Sequence, residues 1–150
     1  MKLNIGQVLA SEKFVLSFEC EKDYSSLEMG DGVHPFSKVQ VSGTVRNRYQ
    51  GIAIAAQVTA RAVAPCARCL CDVAFDVDVP LECFIGPDGV GDDLVNIENG
   101  HFIDLNCAVE ELLFDEYPSK ILCSSDCKGL CPICGQDLNH GSCDHTADKL

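Results

Sequence analysis

The sequence predicts an α+β fold: a mostly antiparallel β-sheet with one main helix and a cysteine-rich C-terminal tail. Three observations lead there. Apolar and polar residues alternate with period two through much of residues 39–85, the mark of half-buried strands. One later stretch repeats its apolar residues with helical spacing and stops at Pro118. After Lys120 the periodicity ends and cysteines accumulate, so something other than hydrocarbon must order that segment.

At 150 residues the chain suits one core, and we expect a single domain over 1–150, with sheet and helix about 1–118 and the tail about 119–150. Short strands are expected around Leu3–Leu9 and Phe14–Cys20, with a loop between Ser25 and Pro35. The clearest element is a hairpin. Val39, Val41, Gly43 and Val45 alternate with polar residues; Ile52, Ile54, Ala56, Val58 and Ala60 do the same in reversed parity. A two-residue turn at Gln50-Gly51 would pair Tyr49 with Ile52, Val45 with Ala56 and Val41 with Ala60, all apolar members on one face. A third strand runs from Val73 to Ile85, and Pro80 inside it suggests an edge or a bulge. A loop at Gly86–Asp93 and short apolar segments at Leu94–Ile97 and Phe102–Leu105 follow. The helix starts near Asp104 or Asn106, either a competent cap, with Leu105, Val109, Leu112 and Leu113 as its apolar stripe.

Eleven cysteines and four histidines point to a metal. The cysteine count is odd, the first residues make a poor export signal, and a cytoplasmic location is expected, where disulfides are rare. Cys66-Ala67-Arg68-Cys69 and Cys131-Pro132-Ile133-Cys134-Gly135 each place two thiolates where both reach one tetrahedral zinc ion at ~2.3 Å. Eight candidate ligands suit two sites: Cys66, Cys69, Cys123 and Cys127 in one, and Cys131, Cys134, Cys143 and His145 in the other. One site built from Cys66, Cys69, Cys131 and Cys134 is the rival grouping, and His140 competes with His145. Cys71 is expected as a spare ligand, with a core position as the alternative, while Cys20, Cys83 and Cys107 fall at apolar positions and are expected in the core. His34 and His101 are isolated and expected to be ordinary surface residues.

Catalytic constellations are not found. Pro65-Cys66-Ala67-Arg68-Cys69 matches half of a zinc-deaminase signature, but the one upstream histidine, His34, lacks the glutamate two residues on that would shuttle protons. A redox pair would open a helix, whereas this one lies between two strands. A four-thiolate site is closed to substrate. The chain is therefore expected not to be an enzyme.

Net charge is −12, yet the signs are segregated. Gly32 to Cys71 holds no acid and carries Lys38, Arg46, Arg48, Arg61 and Arg68; Asp72 to Glu116 holds thirteen acids and no Lys or Arg. The acidic total argues against indiscriminate coating of nucleic acid. Locally, the hairpin parity puts Arg46, Arg48 and Arg61 on one face, with Tyr49 at the turn and Arg68 in the first knuckle, a candidate surface for RNA or another partner. An ordinary solvated strand face is the plainer reading.

Together, Cys66-Ala67-Arg68-Cys69-Leu70 after the hairpin, Ile103-Asp104-Leu105 leading into an acidic helix ended by Pro118, and Cys127-Lys128-Gly129-Leu130-Cys131-Pro132-Ile133-Cys134-Gly135 with Leu138-Asn139 resemble the YceD-like family. Many relatives end in Cys-x-Cys where this chain has Cys143-Asp144-His145. The resemblance implies a non-catalytic factor for accumulation of large-subunit (23S) ribosomal RNA, with that RNA or a large-subunit ribosomal protein as partner, and no membrane or small-molecule substrate. A zinc-stabilised protein-interaction module, for example in transcription, is the alternative.

Overall fold

The computed structural model describes residues 1–30, 32–89, 91 and 94–145. Asp31, Val90, Asp92 and Asp93, which the two loop assignments included, lie outside the described residues. The element order is β1 (Lys2–Asn4), α1 (Gly6–Ala10), β2 (Val15–Asp23), β3 (Phe36–Arg48), β4 (Gly51–Pro65), β5 (Asp72–Ile85), β6 (Ile97–Glu98), β7 (Phe102–Asp104) and α2 (Asn106–Glu116). Strands β2-β3-β4-β5 form a four-stranded sheet and β1-β7-β6 a three-stranded one. Among the described residues the fold is mostly β with antiparallel pairing and two short helices. By contacts the chain divides into two compact units, Met1–Ala62 with Asp76–Tyr117, and Val63–Phe75 with Pro118–Leu150.

In the first unit the alternation does what period two requires. Val39, Val41, Val45, Ile52, Ile54 and Val58 are buried, while the intervening residues of β3 and β4 mostly face outward. The register differs from the expected one. Val45 pairs with Ile54, Val41 with Val58 and Arg48 with Gly51, so the turn is Tyr49-Gln50 and Gly51 opens β4. A shift of two residues preserves parity, so both faces keep their residues although every partner changes. Gly51 has a φ of 138°, and a Cβ there would lie 2.0 Å from the Ile85 carbonyl oxygen. Close approach by β5, more than turn chemistry, explains that glycine.

Three other expectations are corrected. Leu3–Leu9 is not one strand: β1 ends at Asn4, whose side-chain Oδ1 accepts the Gly6 N–H at 2.9 Å and starts α1. Cys107 is exposed on α2, whereas Cys83 is buried and Cys20 half-buried. The helix begins at Asn106, inside the expected range, but neither expected residue caps it. Leu105 holds the N-cap position with no side-chain cap bond, and Asp104 Oδ1 accepts the Asn106 N–H at 2.9 Å from one residue earlier. The helix buries Ala108, Val109 and Leu113. Beyond it, the Tyr117 ring meets Phe36 of β3 edge-on, centroids 6.5 Å apart. Pro80 is exposed on β5, at the edge of the four-stranded sheet. His34 and His101 are both exposed.

Gly43 sits mid-strand in β3, where an added Cβ would come within 2.3 Å of the Ala55 carbonyl oxygen and 2.6 Å of the Ala56 Cβ. Backbone cannot retreat as a side-chain tip can. We expect Gly43→Ala to destabilise the first unit by about 1–3 kcal/mol in denaturant titration. By contrast Tyr24→Phe, which removes a buried hydroxyl with no hydrogen-bond partner among the described residues, should leave stability unchanged or raise it.

Candidate metal centres

The second unit collects sulfur. Cys66, Cys69 and Cys127 are buried, with Val73, Leu122 and Leu130 packed on them. The ligand atoms of Cys66, Cys69, Cys123 and Cys127 lie within 4.8 Å of one another, as do those of Cys131, Cys134, Cys143 and His145. These are the two quartets that spacing suggested. The rival grouping of Cys66 and Cys69 with Cys131 and Cys134 is not formed among the clusters of the described residues. His140 lies outside both quartets and pairs with Asp137, Nδ1 to Oδ2 at 2.9 Å.

Each Cys-x-x-Cys pair is held by the same backbone turn. In the first, Leu70 N–H donates to the Cys66 carbonyl (3.0 Å) and Cys66 N–H to the Cys71 carbonyl (2.8 Å). In the second, Gly135 N–H donates to the Cys131 carbonyl (2.8 Å) and Cys131 N–H to that of Gln136 (2.8 Å). The residue after the second cysteine is left-handed in both, Leu70 at φ 63° and Gly135 at φ 73°. Glycine takes that conformation freely, whereas leucine does so at a cost of about 1–2 kcal/mol.

The turns aim amide N–H groups at one sulfur of each pair. The amides of Cys69 and Arg68, followed by that of Cys123, lower the Cys66 thiol to about 6; those of Cys134 and Ile133 lower Cys131 likewise to about 6. Hydrogen bonding with the neighbouring Cys127 thiol pushes Cys123 up to about 11. Near neutral pH each quartet thus contains one thiol that gives up its proton readily, Cys66 in the first and Cys131 in the second, a starting anion for a cation to bind.

The donor set fits a tetrahedral thiophilic ion. Four bonds of ~2.3 Å place sulfurs about 3.8 Å apart; Cys66–Cys127 is 3.9 Å and Cys69–Cys123 is 3.5 Å. Cys71 is a fifth sulfur, exposed and 3.3 Å from Cys69, outside the quartet. Three of the first quartet's four ligands are buried, whereas the second keeps only Cys131 buried.

Two side chains brace the centres. Arg68 Nη1 donates to the Cys127 carbonyl at 2.7 Å, tying the first knuckle to the tail and engaging part of a guanidinium that sequence reading assigned to a partner. By sequence Asn139 is only the last residue of the Leu138-Asn139 motif. Its Oδ1 accepts the Lys128 N–H at 2.8 Å, and its Nδ2 donates to Cys127 Sγ at 3.4 Å. Sequence spacing carries no signal for such a contact beyond the asparagine's place eight residues after Cys131.

The structure distributes the proposed partner-binding residues unevenly. Arg46, Arg48 and Tyr49 lie at the β3–β4 turn, all exposed. Arg61 shares the outer sheet face but stands eight residues along β4 from Ala53, the partner of Arg46, roughly 26 Å away at ~3.3 Å per residue. There it lines a cleft with Glu21, Lys38, Asp76 and Asp78. The acid-free stretch of sequence therefore meets acids from β2 and β5 in space.

Sheet and sulfur centres together define a β-rich protein with two cysteine-based candidate metal sites. The family model described as "Large ribosomal RNA subunit accumulation protein YceD" matches residues 54–150, and the chain belongs to that family. The family is named for an accumulation role and not for a reaction. Similar proteins include Uncharacterized protein Rv2926c of Mycobacterium tuberculosis, 36% identical over 95 residues, or 59% of this chain and 46% of that protein. Uncharacterized protein Mb2951c of Mycobacterium bovis matches to the same extent. Uncharacterized protein ML1660 of Mycobacterium leprae is 33% identical over 95 residues, 59% of this chain and 44% of that protein. The chain thus spans under half the length of these relatives. No solved structure matches it. No helix among the described residues is long and apolar enough to cross a membrane.

Replacing Asn139 by Ala removes the side-chain amide that donates to Cys127 Sγ. The variant should hold an ion in the first quartet about 10–100-fold less tightly, read by chelator competition, while the second quartet is unaffected.

Proposed function

We propose that the protein is a non-catalytic cytoplasmic factor that supports accumulation of large-subunit (23S) ribosomal RNA during ribosome assembly, with two structural zinc ions ordering its second unit. The observation that carries this reading is the pair of four-donor quartets. When each holds zinc, four protein ligands fill its coordination sphere and leave no position for substrate or activated water. Zinc supplies cross-linking, and the protein's own residues shape a surface for a large-subunit RNA or ribosomal protein. The family's name supports the ribosomal assignment.

The zinc component has a direct measurement. Protein purified under reducing conditions should carry two zinc ions per chain by elemental analysis, and Cys131→Ser with Cys134→Ser should reduce this to one. Because the second quartet is the more exposed, a chelator should remove its ion first and give two kinetic phases. Full zinc content in the double variant would exclude the tail site.

The ribosomal component is tested by gradient sedimentation of cell extracts. The protein should travel with large-subunit precursors, and its depletion should lower 23S ribosomal RNA relative to 16S. Sedimentation with RNA polymerase instead, at unchanged 23S levels, would favour the transcription reading.

A further inference from the structure

The outer face of the four-stranded sheet is divided. Alternation puts Val15 of β2, Arg46 of β3 and Ala53 of β4 in one row across it, with Arg48 and Gly51 paired next to them. On β5, Phe84 is exposed, and its Cζ lies 2.9 Å from where a Cβ on Gly51 would stand, so its ring borders the Arg48–Gly51 row. Tyr49, in the turn, is 93% exposed. Two aromatic rings, two arginines and the small residues Gly51 and Ala53 therefore gather at the turn end. The acids concentrate farther along: Glu19, Glu21 and Asp23 oppose Ser42, Gln40 and Lys38, and Asp76 and Asp78 line the cleft with Arg61. Three carboxylates stand nearer. Glu82 lies on β5 two residues before Phe84, Glu12 lines a hollow with Arg48 and Tyr49, and Asp88 lies in the turn whose Pro87 and Gly89 line the same hollow. Neither glutamate forms an ion pair with Arg46 or Arg48 among the described residues.

We infer that this end of the sheet is a binding platform for single-stranded RNA, with bases stacking on Phe84 and Tyr49 and phosphates held by Arg46 and Arg48. The inference rests on the ribosomal reading above and adds the ligand's form and the residues that hold it. The chemistry selects single strands. A base presents a flat π-face only when unstacked from a neighbour, and exposed aromatic rings on a sheet offer it a surface. Arginine adds a phosphate fork and a planar cation that itself stacks. Gly51 is buried with the Phe84 ring seated over it, which holds that ring beside Arg48. The net charge of −12 opposes binding through its long-range field. At 0.1 M salt the Debye length is ~10 Å, so the acidic cleft roughly 26 Å away is screened from the turn end while direct contacts persist.

The test is fluorescence anisotropy with a labelled single-stranded oligouridylate of about twelve nucleotides, the full zinc-loaded chain and a range of salt concentrations. Tyr49→Ala and Phe84→Ala should each weaken binding about 5- to 150-fold. Arg46→Ala with Arg48→Ala should also reduce the slope of log affinity against log salt by about 0.7 per arginine. Arg61→Ala, in the acidic cleft, should bind like the unaltered chain. Phe84→Tyr keeps a ring and should bind normally, which separates loss of stacking from loss of fold. Equal affinity for duplex RNA, an Arg61→Ala defect matching that of the turn variants, or no binding by the unaltered chain would each overturn the platform. Cosedimentation with large-subunit precursors but no oligonucleotide binding would overturn it in favour of a protein partner and leave the ribosomal reading standing. Oligonucleotide binding with the stated variant pattern, but no cosedimentation, would support the platform and remove the ribosomal reading.

Discussion

The second unit has sulfur where a domain of its size needs hydrocarbon. Its buried cluster has three cysteines at the centre, with only Val73, Leu122 and Leu130 packed against them. A unit close to the ~40-residue limit cannot bury enough apolar surface to offset its conformational entropy unaided. Four sulfurs drawn together from residues 66, 69, 123 and 127 connect two chain segments far apart in sequence. Two thiolates at about 3.5–3.9 Å would repel one another, so without a cation protons stay shared between these sulfurs; with one, the same proximity becomes a cross-link. The Arg68–Cys127 and Asn139–Cys127 contacts belong to that arrangement, since both orient the segment carrying a ligand.

The first unit depends on no such device. Its core is ordinary: β-branched residues of β3 and β4, the inward side chains of β5, and the apolar stripe of α2. The two units therefore use different physics, hydrophobic burial in one and sulfur clustering in the other. Removing an ion from the second should leave the hydrocarbon core of the first with its own source of stability. A sheet that folds without the metal can also carry a binding face whose geometry does not change with metal supply.

Period-two alternation makes the β3–β4 faces legible because parity survives any even shift. For the same reason the register is not legible: moving the turn from Gln50-Gly51 to Tyr49-Gln50 leaves both faces with their residues. The contact that decides between them is Gly51 against the Ile85 backbone, which joins strands distant in sequence. Leu3–Leu9 misleads because five-residue helices carry too little periodicity to outweigh apolar content. Its split goes with the Asn4 side chain accepting the Gly6 N–H and with the Ile5 N–H donating to the His101 carbonyl, the second a contact between residues far apart in sequence. The quartets are legible because Cys-x-x-Cys pairs are local, and the remaining ligands lie close to one another in the tail. Charge is the instructive failure. The acid-free run is real in sequence, but a sheet interleaves strands, and Glu21, Asp76 and Asp78 end up around Arg61.

Leu70 and Gly135 complete the comparison of the two knuckles. Both hold the same left-handed position, yet one carries a side chain that is 64% exposed. Packing of the isobutyl group therefore offsets little of the conformational cost. The backbone turn must be over-determined by its neighbours: Leu70 N–H to Cys66, Cys66 N–H to Cys71, and Ala67 N–H to the Ile121 carbonyl all close around it. Gly135 needs less support, since its turn is already unstrained, and the second knuckle is correspondingly the more open of the two. A strained residue at the knuckle with buried sulfurs and an unstrained one at the more open knuckle imply that the two turns, alike in hydrogen bonding, are under different demands. The first must stay rigid because its sulfurs sit in the core of the unit, and the second must close only around its own four donors.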